Sequence, residues 1–153
     1  DYLRLANQEA KTARAGGNTP FGAILVDDVT GEVLMRQGNA EGDTHDATAH
    51  AEFVLASRAS RTYSKEKLWK CTLYTTCEPC PMCLGAIYWA HIGKLYYGNN
   101  KTDAKNIGFD DSFIYEELEL PRDRRRLPSE LLLSDEAAEA FRMWMEKDDK
   151  VEY

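Results

Sequence analysis

The chain has 153 residues, 43% of them apolar and 29% charged. That size and composition suit one globular domain over residues 1–153, with a core large enough to fold without disulfides. The formal net charge is −7, and the excess lies after residue 109: residues 1–109 carry 12 acidic and 12 basic side chains, residues 110–153 carry 14 and 7. An acidic chain is a poor electrostatic match for a polyanionic nucleic acid, no run of 18 apolar residues offers a membrane span, and no secretory signal follows Asp1.

In chain order, Leu3, Ala6, Ala10 and Ala13 recur at helical spacing and predict a helix over 3–15, ended by Gly16-Gly17. Residues 21–26 are a short apolar run that reads as a buried strand. A Thr-Gly turn signal then leads to a partner strand over 33–36, completing a hairpin. A polar loop fills 38–48. Residues 49–59 read as a helix with Phe53, Val54 and Ala56 inward, and 71–75 are rich in strand formers. Residues 80–90 form an apolar helix, nearly free of charge and so expected to be buried all round. Residues 94–97 read as a third core strand. Beyond them come a Phe-Asp-Asp loop, an apolar-acidic segment to Leu120, a basic run at 122–126 that reads as a solvated loop, a strand near 131–133, and a helix over 135–147. Helices alternating with strands predict an α/β sheet with helices on its faces. Such sheets place ligands at loops and helix starts beyond the strand ends.

All four cysteines, Cys71, Cys77, Cys80 and Cys83, fall within 13 residues. This clustering is unlike a disulfide framework and points to metal binding or redox chemistry in a reducing compartment, the cytoplasm. Two motifs sit at predicted helix starts: Thr48-Ala49-His50-Ala51-Glu52 and Pro79-Cys80-Pro81-Met82-Cys83. A helix start brings both sulfurs of Cys-x-x-Cys to one side, and its positive end favours thiolate. Adding the His50 imidazole makes three protein ligands, which leaves the fourth tetrahedral position of a Zn2+ for water, the pattern of a catalytic site.

Helix positions two apart face different ways, so Glu52 is expected not to share the metal with His50 but to carry protons beside it. His-x-Glu followed by Pro-Cys-x-x-Cys is the general signature of zinc deaminases. Taken alone, His-Ala-Glu is a common helical surface pattern, and Cys-x-x-Cys also serves redox pairs and structural zinc knuckles. A structural site would need a fourth ligand with its own short spacing. Cys71 and Cys77 read instead as small core residues, and His45 and His91 as loop and helix-end residues.

At these residues the sequence resembles the cytidine deaminase-like superfamily and, more narrowly, its bacterial guanine deaminase branch. The resemblance is carried by residues 76–90 around the two cysteines, by 108–115 with Phe109-Asp110-Asp111, by Pro20-Phe21-Gly22-Ala23, by Asn39 and by the terminal Glu152-Tyr153. It implies a three-layer α/β/α fold with a central mixed five-stranded sheet. It also implies one Zn2+ per chain on His50, Cys80 and Cys83, and hydrolysis of guanine to xanthine and ammonia. By match to the family, Glu52 is the catalytic acid/base, with Asp111 as a second carboxylate that binds the base and helps the amine leave. Asn39 holds the base edge, the Ala51 N–H contacts the base, and Phe21 and Trp89 are walls. The family's C-terminal segment, about 135–153 here, crosses to the partner of a homodimer, where Tyr153 closes the site.

Two departures stand out: Asp46-Ala47 replaces the usual Asp-Pro, and the hairpin at 27–32 is two residues longer. They leave the zinc ligands untouched and the exact base open. Guanosine, cytosine or cytidine, adenine and an amino-triazine are the alternatives. A transfer RNA adenosine deaminase is a further one, and a non-catalytic zinc or redox module is the alternative from another class.

Overall fold

A computed structural model describes residues 1–153, which divide into two compact units, 1–113 and 114–153. The first unit opens with α1 (Tyr2–Ala15), capped by Asp1, whose carboxylate accepts from Leu3 N at 3.2 Å. Then follow β1 (Gly22–Asp27), β2 (Val33–Gly38), α2 (Glu41–Thr44), α3 (Ala51–Thr62), α4 (Lys65–Leu68), β3 (Cys71–Cys77), α5 (Pro81–Trp89), β4 (Lys94–Asn99) and α6 (Lys101–Asn106). The sheet order is β2-β1-β3-β4. β1 pairs antiparallel with β2 and β3, while β3 and β4 run parallel, linked by α5, so the sheet is mixed as expected.

Alternation along β1 decides which helix covers which face. Ala23 and Leu25 join Leu55, Ala59, Leu73, Ile87 and Ile92 in the core beneath α3 and α5. The other face meets α1, whose buried stripe is Ala6, Ala10 and Ala13. Those small side chains bring the helix close: a Cβ on Gly22 would lie 2.5 Å from Ala10 N and 2.6 Å from Ala6 O. Only glycine fits between that helix and that strand.

Several expectations are corrected. The sheet has four strands, not five. Residues 131–133 form no strand: the three leucines are exposed, and Leu133 adopts φ 51°, a left-handed turn that leads into the next helix. β4 is an edge strand rather than a core strand, with Tyr96 and Tyr97 exposed and Leu95 alone packed against the core. α5 is not buried all round. Cys83 and Ile87 are its buried residues, and Tyr88 and Trp89 are exposed because only one side of the helix lies on the core. Helices α2, α4 and α6 occupy stretches that read as loops or went unread; each is four to six residues long, too short for a periodic signal.

The second unit contains most of α7 (Ser112–Glu119), a 3-10 turn at Arg122–Arg124 and α8 (Ser134–Met145). None of its residues is buried. The basic run turns back on its own chain: Arg125 Nε donates to the Glu117 carbonyl at 2.9 Å, and Arg126 N donates to Glu117 Oε2 at 2.9 Å. No helix of the chain is long and apolar enough to cross a membrane.

Candidate active site

The first unit holds a cavity of about 310 Å³ lined by residues from the loops after β2, β3 and β4 and from two helix starts. His50 is the N-cap of α3, with extended backbone (φ −68°, ψ 147°), and Cys80 is the N-cap of α5 (φ −66°, ψ 167°). Pro81 at the first helical position suits the α5 start, since its fixed φ is helical and no N–H is lost. Cys83 follows one turn on, so both sulfurs come to one side. Cys80 Sγ and Cys83 Sγ each lie 3.5 Å from His50 Nδ1. The three ligand atoms fall within 4.8 Å of one another.

The electrostatics of this cluster call for a cation. The Cys83 hydrogen bond, followed by His50, lowers the Cys80 thiol to about 4. The same bond to Cys80, together with burial, pushes Cys83 far up. His50 is raised, chiefly by the Cys80 thiolate. The pair therefore keeps one proton, because two adjacent buried thiolates repel without a positive charge between them. A divalent ion replaces that proton on binding. One imidazole nitrogen and two sulfurs, at the positive ends of two helices, are a donor set that fits Zn2+.

Glu52 is not one of the three residues of the cluster. His50 is not on the helix, so the two side chains are separated by a change of backbone conformation rather than by helical rotation. Glu52 is 5% exposed, lines the cavity, and accepts from the Thr75 hydroxyl of β3. Burial raises its carboxyl above the ordinary value, and the Thr75 bond partly opposes that. Asp111 also lines the cavity, raised by burial and then by the Cys80 thiolate. Its neighbour Asp110, which also lines the cavity, accepts from Ser112 N at 2.9 Å and pairs with Lys105 Nζ at 3.6 Å.

Asn39, 3% exposed, lines the cavity too. Phe21 does so with its ring edge-on to Phe109, centroids 5.1 Å apart and planes at 83°. Ala51 is fully buried in the first turn of α3, where backbone N–H groups have no intrahelical acceptor. Two expected residues lie elsewhere. Trp89 is 73% exposed at the end of α5 and lines a separate groove with Phe53, Arg61 and Ala86, because α5 turns its last residues away from the core. Tyr153 is exposed at the end of the second unit.

The sequence reading missed Thr75, Glu41, Glu78, Lys101 and Phe109. Thr75 looked like an ordinary strand former, and its contact joins residues 23 apart. Glu41 sat in a stretch read as polar loop. Cys77, read as core, is buried and also lines the cavity, its thiol raised to about 11 by burial. His45, read as a loop residue, instead closes α2, and His91 follows α5 with φ 62°, the helix-end role expected of it.

Comparison with known proteins agrees with this geometry. Residues 1–99 match the model of the cytidine and deoxycytidylate deaminase zinc-binding region. The guanine deaminase of Bacillus subtilis is 42% identical over 139 residues, covering 91% of this chain and 88% of that protein. A tRNA-specific adenosine deaminase of Agrobacterium fabrum is 42% identical over 97 residues, 63% of this chain and 62% of that one. The X-ray structure of the Bacillus subtilis guanine deaminase superposes with a TM-score of 0.90 at 39% identity, covering 99% of this chain and 96% of that structure. With its His-Cys-Cys cluster on two helix starts and a buried glutamate beside it, this chain belongs to the family of zinc-dependent cytidine and deoxycytidylate deaminases.

Proposed function

We propose that this chain hydrolyses guanine to xanthine and ammonia. The observation that carries the reading is a small cavity lined by His50, Cys80, the buried Glu52 carboxyl and the Asn39 amide, with Cys83 completing the cluster behind it. Zinc on that cluster supplies a Lewis acid that makes water nucleophilic near neutral pH. Glu52 takes a proton from the attacking water and returns it to the ring nitrogen beside the amine-bearing C2. Asp111 relays the remaining proton, that of the new C2 hydroxyl, to the departing amine as the C2 carbonyl forms and the C–N bond breaks, so guanine and water yield xanthine and ammonia. Asn39 offers a donor and acceptors to the base edge, the Ala51 N–H adds a further donor, and the Phe21 ring covers the base.

The charge of the lining supports a base over a phosphorylated substrate. Glu41, Glu52, Glu78, Asp110 and Asp111 face one ammonium, that of Lys101. A volume of about 310 Å³ sits at the small end of the roughly 300–1,000 Å³ typical of ligand pockets. Likeness to the Bacillus subtilis guanine deaminase over nearly the whole chain supports the choice of guanine.

The working enzyme on this reading is a homodimer, with the C-terminal segment crossing between subunits so that Tyr153 closes the neighbouring site. The lack of any buried residue in 114–153 supports such an exchange. Ammonia release from guanine, guanosine, cytosine, cytidine, adenine, adenosine and a transfer RNA, with zinc-loaded protein, tests the reading. Fast turnover of guanine alone is expected. Preferential turnover of any other member would overturn the choice of base.

A further inference from the structure

Glu41 links two parts of the cavity that lie apart in function. Its backbone N–H donates to Asn39 Oδ1 at 2.9 Å, and its Oε1 accepts from Asn39 Nδ2 at 2.8 Å. The same Oε1 lies 3.4 Å from His50 Nε2, the imidazole nitrogen that faces away from the two sulfurs. Neither position is at the open surface: the Glu41 side chain is 30% exposed and that of His50 34%.

The chemistry of each contact is directional. An imidazole that offers Nδ1 to a metal carries its proton on Nε2 when neutral, and a carboxylate facing that N–H fixes both tautomer and ring angle. An ionised carboxylate accepts only, so it holds the Nδ2 end of Asn39 toward itself, while the backbone N–H holds the Oδ1 end. Both ends of the amide are thereby assigned. What remains for a base is one amide N–H and one carbonyl lone pair in a set orientation. A flipped amide would present the opposite pattern to a purine edge.

We propose that Glu41 is a positioning residue for metal and base at once, aligning the His50 ring for zinc and fixing which way the Asn39 amide presents itself to the substrate. The base half rests on the role read above for Asn39; the metal half rests only on the His50 cluster.

The test compares Glu41→Ala and Glu41→Gln in the full-length protein, each alone, and Glu41→Ala also on an Asn39→Ala background. Zinc affinity is read by chelator competition, and steady-state kinetics on guanine are run at saturating zinc. Glu41→Ala is expected to weaken zinc by about tenfold or more and to raise KM by about tenfold, with kcat changed far less. Glu41→Gln, whose amide oxygen can accept the same bonds, is expected to recover most of both. On the Asn39→Ala background, Glu41→Ala is expected to add no further rise in KM. A folded Glu41→Ala protein with zinc affinity and KM both within about twofold of the parent would overturn the proposal. Asn39→Ala with an unchanged KM would overturn the base-holding reading and the base half with it, while the zinc measurement still decides the metal half.

Discussion

The two units of this chain solve the same problem in opposite ways. The first wraps a mixed sheet between helices and buries Ile24, Leu25, Leu55, Leu68 and Leu73 almost completely. The second carries Leu131, Leu132, Phe141, Met143, Trp144 and Met145 exposed, between 41% and 78%, and buries nothing. Its α8 has an apolar set at helical spacing but no buried residue on any side. The contrast separates packing within a unit from an apolar set left exposed, and exposed apolar area of this kind fits the intersubunit surface proposed above. It also places every group of the zinc cluster in the unit that supports itself, where burial can shift proton affinities.

Substitutions sharpen that contrast in proportion to how tightly each region is packed. The largest effect is expected at the metal cluster: Cys83→Ala should abolish stoichiometric zinc and turnover together, read by metal analysis and ammonia release. Zinc bound at one per chain in that variant would break the ligand assignment. Next comes Glu52→Gln, which should keep zinc and lose roughly 10²–10⁴-fold in kcat, the range for a missing general acid/base; full activity would remove Glu52 from proton transfer.

Packing within the first unit is tested by Gly22→Ala, since its methyl must displace the α1 backbone rather than a flexible side chain. A loss of roughly 1–3 kcal/mol is expected, seen as a drop of several degrees in Tm. The smallest effect on folding belongs to the second unit. Phe141→Ser with Trp144→Ser should change monomer stability by no more than about 0.5 kcal/mol while shifting sedimentation from dimer toward monomer. An unfolded double variant, or an unchanged sedimentation profile, would mean these side chains are not an intersubunit surface.

Much of the first unit was legible beforehand because its signals are local. Helical spacing of small residues marked α1, a turn signal marked the β1–β2 hairpin, and two short motifs marked the helix starts that hold His50, Cys80 and Cys83. The errors share a cause. Apolar content alone does not say which side of α5 meets the core, so Tyr88 and Trp89 were read as buried. Nor does it say whether a strand such as β4 ends up inside the sheet or at its edge. The leucines at 131–133 carry strand-like composition without a ladder partner, and Leu133 turns left-handed instead.

Residue order by itself brought out the His50, Cys80 and Cys83 cluster and the glutamate beside it, because a metal grip and a helix start are encoded within a few positions. Tertiary structure alone decided that Thr75 meets Glu52, that Asp110 binds Ser112 and Lys105 while lining the cavity with Asp111, and that Glu41 spans His50 and Asn39. These contacts exist only once the sheet register and the loop paths are set.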